Sequence, residues 1–160
     1  MKHEAKSRYP APADQVMKMF SDPAFHARKL DALGMAGKYE VLAQGRDGDE
    51  FFIRIERRVP IQLPGMKKGA GESVVAHEER WNAQTRTGRV VVETRGIPVA
   101  ISCDAAISDD AGGAVVEYSW LIESSLPIVG RTLEKFVVSD MNSRSEQETK
   151  AGIDQLENYR

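Results

Sequence analysis

Three ionisable side chains fall where alternating apolar residues predict a buried sheet face. Arg57 shares a parity with Phe51, Ile53, Ile55 and Val59, opposite Phe52, Arg54, Glu56 and Arg58. One strand later, His77 and Glu79 share a parity with Val75 and Trp81. If those strands pair, an arginine, an imidazole and a carboxylate meet on one surface. A carboxylate away from water needs a cationic or N–H partner, so such a group either orients the polar head of a ligand or works as an acid/base pair. The phase of the second strand is open. Val74 and Ala76 occupy its other parity, and packing them inside would leave His77 and Glu79 in water. Of the two phases, the outward one carries slightly more weight.

Other candidates are weaker. Tyr118 and Trp120 lie on the inner parity of the last strand, with Trp81 as a further candidate neighbour; they read first as core and second as the wall of a ligand cavity. Asp140 and Arg144 stand four apart on a helix and suit a pair across one turn. They read first as solvated and second as a polar anchor. Cys103 reads as a small buried apolar residue rather than a nucleophile. His3, His26 and His77 have no metal-ligand spacing, so neither a metal nor a cofactor is expected. Gly65 to Gly71 is glycine-rich but lacks the Gly-Lys-Ser/Thr ending of a phosphate-cradling loop, and it reads as a surface loop or gate. Nucleophile-elbow, HExxH and dinucleotide patterns are missing from the sequence.

Composition narrows the classes. The chain has 160 residues, suited to one domain over 1–160, with 22 Lys plus Arg against 24 Asp plus Glu and a formal charge of −2. That balance argues against binding a phosphate backbone. No apolar run approaches the ~18 residues of a membrane span. The opening Met1-Lys2-His3-Glu4 leads into no apolar stretch, and Cys103 is the single cysteine. Both point to a reducing cytoplasm.

The elements that must position these residues follow from periodicity. Residues 2–9 alternate weakly, with His3, Ala5, Ser7 and Tyr9 on one side, and read as a strand. Pro10-Ala11-Pro12 leads into a helix with Ala13, Val16, Met17 and Phe20 on one stripe. Asp22 and Pro23 begin a second helix, carrying Phe25, Leu30 and Leu33 and ended by Gly34 or Gly37. From Lys38 to Glu123 the period is two, and turn residues divide the segment into six strands. A long helix from about Ile128 to Asn158 closes the chain. Its inner stripe runs through Val129, Leu133, Phe136, Val137, Asp140, Met141, Arg144 and Glu148, and Gly152 marks a kink or fraying.

Strand, two short helices, six strands and one long helix resembles the helix-grip order of the START-like superfamily, also called SRPBCC or birch-pollen-allergen-like. Tyr9-Pro10-Ala11-Pro12-Ala13-Asp14-Gln15-Val16, Phe20-Ser21-Asp22-Pro23-Ala24-Phe25 and Leu126-Pro127-Ile128-Val129-Gly130-Arg131-Thr132-Leu133-Glu134 carry the resemblance locally. It implies an α+β fold in which a curved seven-stranded antiparallel sheet wraps the C-terminal helix around a cavity. The expected occupant is a small hydrophobic or amphipathic molecule (lipid, isoprenoid or polyketide-like). It would touch Phe51, Ile53, Arg57, His77, Glu79, Trp81, Tyr118 and Trp120 on the sheet and Leu133, Phe136, Val137, Asp140 and Met141 on the helix. Two alternatives stay open: a cyclase- or hydrolase-type enzyme using Glu79, His77 or Asp140, and a protein-interaction module.

Overall fold

A computed structural model describes residues 1–60 and 71–160. The glycine-rich segment singled out above lies, but for Gly71, outside the described residues. Seven strands form one sheet: β1 (Lys2–Tyr9), β2 (Tyr39–Asp47), β3 (Glu50–Pro60), β4 (Glu72–Asn82), β5 (Thr87–Thr94), β6 (Val99–Asp110) and β7 (Gly113–Ser124). Their order is β1-β7-β6-β5-β4-β3-β2, and every pairing is antiparallel. Consecutive strands from β2 to β7 are neighbours in the sheet. Only β1 returns from a distance, pairing Ala5 with Tyr118 and Tyr9 with Ala114.

Helices α1 (Ala13–Phe20) and α2 (Pro23–Ala32) follow β1, and α3 (Gly130–Ile153) follows β7. Asp22 separates α1 from α2 as expected. Its carboxylate accepts the Ala24 N–H at 3.0 Å, while Pro23 supplies a first-turn residue with no N–H to satisfy. The same carboxylate accepts the Tyr159 hydroxyl at 2.7 Å, fastening the C-terminus over the α1–α2 corner.

The solid part of the core lies beneath that corner. Phe20 is its centre, with ring centroids 5.8 Å from Tyr9, 5.5 Å from Phe25 and 4.9 Å from Trp81. Leu156 and Tyr159, in a short 3₁₀ turn, complete the plug.

α3 is shorter than its periodicity suggests. It starts at Gly130 because Glu134 docks there, accepting the Met1 ammonium at 3.2 Å and the Ser124 N–H at 3.3 Å. Ile128 and Val129, expected inside the helix, stay exposed. It ends at Ile153, after Gly152 lays its bare Cα against the Tyr9 ring. The chain then turns to bring Leu156 into the plug. Only Gly130, Leu133, Ala151 and Gly152 of α3 are buried, so the helix touches down at both ends and bridges the sheet between them.

Gly88 faces Trp81 across the β4–β5 pair, and a Cβ there would run into the indole ring. Gly88→Val should lower stability by about 1–3 kcal/mol through this overpacking, read as an earlier urea midpoint with a shifted Trp emission. An unchanged midpoint would show that the ring has room.

Candidate functional site

The bridging of α3 leaves a chamber of about 590 Å³ between helix and sheet. The floor is the inner face of β3 to β7, including Ile55, Val75, Val90, Val92 and Ile101, and β1 contributes His3, Ala5, Ser7 and Tyr9. Phe136, Val137, Asp140, Met141, Arg144 and Glu148 form the roof. Lys29 and Leu30 of α2 close the end next to the plug.

Ten of the thirteen expected site residues line this space: Arg57, His77, Glu79, Trp81, Tyr118, Trp120, Phe136, Val137, Asp140 and Met141. The other three do not. Phe51 and Ile53 share Arg57's face of β3, yet α2 covers that half of the strand. Phe51 stacks on His26 with centroids 6.0 Å apart, and Ile53 is fully buried. Leu133 packs at the seam where α3 meets the sheet. The inner face of β3 is thus divided: its first half is core, and from Ile55 onward it opens into the chamber.

β4 takes the inward phase. Val75, His77, Glu79 and Trp81 all line the chamber, against the slight preference for the outward phase. Helix α2 favours this phase, because it brings the Lys29 ammonium and the His26 ring toward the carboxylate that Trp81 and His77 of β4 also engage. Trp81 Nε1–H donates to Glu79 Oε1 at 3.1 Å. His77 Nε2 lies 3.4 Å and His26 Nδ1 3.5 Å from Glu79 Oε2. The Phe20 carbonyl can only accept, so its 2.8 Å contact with His26 Nε2 places a proton on that nitrogen.

The three groups titrate as one unit. Burial alone would push the Glu79 carboxyl up. The His26 imidazole, the His77 hydrogen bond and the Lys29 ammonium outweigh it and hold the group well below the usual carboxylate range. Burial pushes both imidazoles down from their ordinary value, against the pull of Glu79.

His26 escaped notice as a site residue, although the signal was there: Asp22, His26 and Leu30 are four apart, on the stripe of α2 that also carries Phe25. Lys29 was missed for a different reason, since a long charged side chain reaches into a cavity from its rim. Glu148 stood on the inner stripe of the last helix without being counted as a site residue.

Tyr118 and Trp120 stack along β7 with centroids 6.3 Å apart. Asp140 and Arg144 pair at 2.8 Å across one turn of α3, half in the chamber and half in water. Cys103 is buried, and its thiol is pushed up to about 12, chiefly by that burial. Among the described residues no group of three His, Cys, Asp or Glu could hold a metal ion, and no helix is long and apolar enough to cross a membrane.

Comparison with known proteins agrees with this geometry. A family model described as "Protein of unknown function (DUF2505)" matches residues 4–154. No curated protein matches the chain. Among solved structures, TTHA0849 from Thermus thermophilus is 20% identical, with 98% of this chain and 97% of that one covered at a TM-score of 0.66. Ara h 8.0201 is 15% identical over 99% of this chain and 98% of its own, with a TM-score of 0.65. The Zhui aromatase/cyclase from Streptomyces sp. R1128 is 13% identical over 98% and 92%, with a TM-score of 0.59. These likenesses establish the helix-grip fold, the α+β architecture of START-like proteins.

Glu79→Leu should cost about 1–3 kcal/mol, because it strands the Trp81 N–H and the His77 N–H in a buried site. The histidines also set a pH dependence. Their folded-state values lie below the ordinary ~6.5, so the stability they contribute is complete above that pH and is lost as pH falls through the folded values. The melting temperature should therefore drop between about pH 7.5 and 5.5, and His77→Gln should flatten the slope. Glu79 acts with the same sign at lower pH, below the ordinary carboxylate range. A wild-type melting temperature flat across the upper interval would contradict the placement of the histidines.

Proposed function

The chain belongs to the DUF2505 family of proteins of unknown function, and we propose that it binds a small amphipathic molecule between α3 and the sheet. One observation carries this reading: α3 is held off the sheet over a chamber of about 590 Å³ while both its ends are anchored. That volume is within the range of small-ligand sites, which combine apolar walls with a few polar groups. Val75, Val90, Val92, Ile101, Phe136 and Val137 supply the walls here. A hydrophobic core normally closes such a space, since unfilled volume costs stability. A chamber kept open between firmly seated ends suits a guest.

The single buried thiol fits a reducing compartment, and we place the protein in the cytoplasm. A second reading, an acid/base enzyme in the same chamber, draws support from the Glu79–His77 contact at 3.4 Å. A carboxylate beside an imidazole in a cavity is a recognised proton-transfer pair. One structural neighbour, the Zhui protein, is an aromatase/cyclase. Simple binding is preferred because Glu79 is already engaged by Trp81 and His77, leaving little of the carboxylate for a substrate proton.

The test is uptake of Nile red by the purified protein, with native mass spectrometry for co-purifying small molecules. Val137→Trp fills the roof from a half-buried position. It should weaken dye binding by about tenfold or more (about 1.4 kcal/mol) with little change in melting temperature. Absence of dye uptake together with absence of any bound small molecule would overturn the proposal and favour an interaction module.

A further inference from the structure

The charged groups of the chamber are not evenly matched. Three cations, Lys29, Arg57 and Arg144, and three carboxylates, Glu79, Asp140 and Glu148, reach its wall. Two of the carboxylates are committed. Glu79 receives the Trp81 N–H and lies 3.4 Å from His77 Nε2, and Asp140 holds Arg144. Arg57 makes no hydrogen bond or salt bridge among the described residues, and its Nε is buried without a partner. Glu148, Glu79 and Asp140 attract it from a distance, and Arg144 repels it. The Arg57 Nε–H is thus taken out of water without compensation, and the rest of the half-buried, five-donor fork makes no hydrogen bond among the described residues.

His77 stands beside it. Ile55 pairs with His77 and Arg57 with Val75, which makes Arg57 and His77 diagonal neighbours on the same face. Nε2 of His77 is turned to Glu79, so Nδ1 is the remaining ring nitrogen, and it too is buried without a partner. With the proton on Nε2, Nδ1 is an acceptor. The apolar wall built by Val75, Val92 and Ile101 leads away from this pair.

We infer that Arg57 and His77 form a head-group subsite, and that the guest is an amphipathic carboxylic acid bound through its carboxylate to the Arg57 guanidinium. The inference rests on the reading of the chamber as a ligand site and adds the chemical class of the ligand. A planar carboxylate accepts two parallel N–H bonds from a guanidinium, which satisfies donors that the protein leaves open. His77 Nδ1 stands ready for a hydroxyl or a water at the same head. A cationic head would have to compete with Arg57, Arg144 and Lys29, with Glu148 as its one uncommitted counter-charge among the described residues.

Three ligands of one chain length separate the possibilities: dodecanoate, dodecanol and dodecylammonium, each displacing Nile red from the full-length protein. Dodecanoate should bind about tenfold or more tightly than dodecanol, and dodecylammonium more weakly than either. Arg57→Gln should bring dodecanoate and dodecanol to within about twofold of each other, and Arg57→Lys should retain part of the preference. Equal binding of acid and alcohol by the wild-type protein would overturn the inference without need of a variant. So would a preference for the ammonium, or an acid preference that survives Arg57→Gln. Each of these results leaves the chamber itself as a binding site. If Nile red is not taken up and none of the three ligands binds, the chamber reading falls first and the acid subsite with it.

Discussion

The Glu79 carboxylate is the constraint around which this molecule is arranged. A charge buried that deeply persists only where donors and cations surround it. Trp81 and His77 reach it from its own strand, two residues to either side, while α2 sets the His26 ring 3.5 Å away and the Lys29 ammonium within electrostatic reach. The His26 ring of α2 is seated beside the carboxylate by stacking on Phe51. Glu79 also fixes the orientation of Trp81, whose ring is the platform for Phe20. The aromatic plug is built against the side of this cluster that Trp81 closes.

That cluster also marks a boundary. On one side of it the inner face of the sheet is covered by α1, α2 and the C-terminal turn, and Phe51, Ile53, Phe20 and Trp81 pack as a solid core. On the other side the cover is α3 alone, carried clear of the sheet between Leu133 at one end and Ala151 and Gly152 at the other. Phe136, Val137 and Met141 point inward from the span yet stay only half-buried, because nothing of the protein fills the space below them. Polar groups along the wall make such a space tolerable in water, where a purely apolar cavity would remain dry and unfavourable. The fold divides its sheet into a half that supplies stability and a half that supplies room.

Much of this was legible in the residues. Asp22-Pro23 announced the break between α1 and α2, and the alternation of Val99, Ile101, Cys103, Ala105 and Ile107 declared the inner face of β6. Arg57 stood out as a charge on an apolar parity, and the structure places it in the chamber. His77 and Glu79 could not be assigned to a face from their own strand, since both parities mix apolar and ionisable residues. Only the cover that α2 supplies, with Lys29 and His26 close to Glu79, breaks that tie, and it is distant in sequence. Phe51 and Ile53 follow the same alternation as Arg57 but have a different fate, because α2 covers one half of β3 and not the other. Periodicity reports which way a side chain points and says nothing of what stands opposite.

The sequence by itself determined the order of elements, the antiparallel neighbours and the two helix starts. Each depends on residues close together in the chain, on capping and turn chemistry and on a period of two or 3.6. The tertiary structure decided the phase of β4, the recruitment of His26, Lys29 and Glu148, and the point where α3 yields to a 3₁₀ turn. Those outcomes depend on contacts between segments far apart, such as Gly152 on Tyr9 and His26 beside Glu79. A local pattern cannot encode the distance at which one surface stands from another, and that distance separates a core from a chamber.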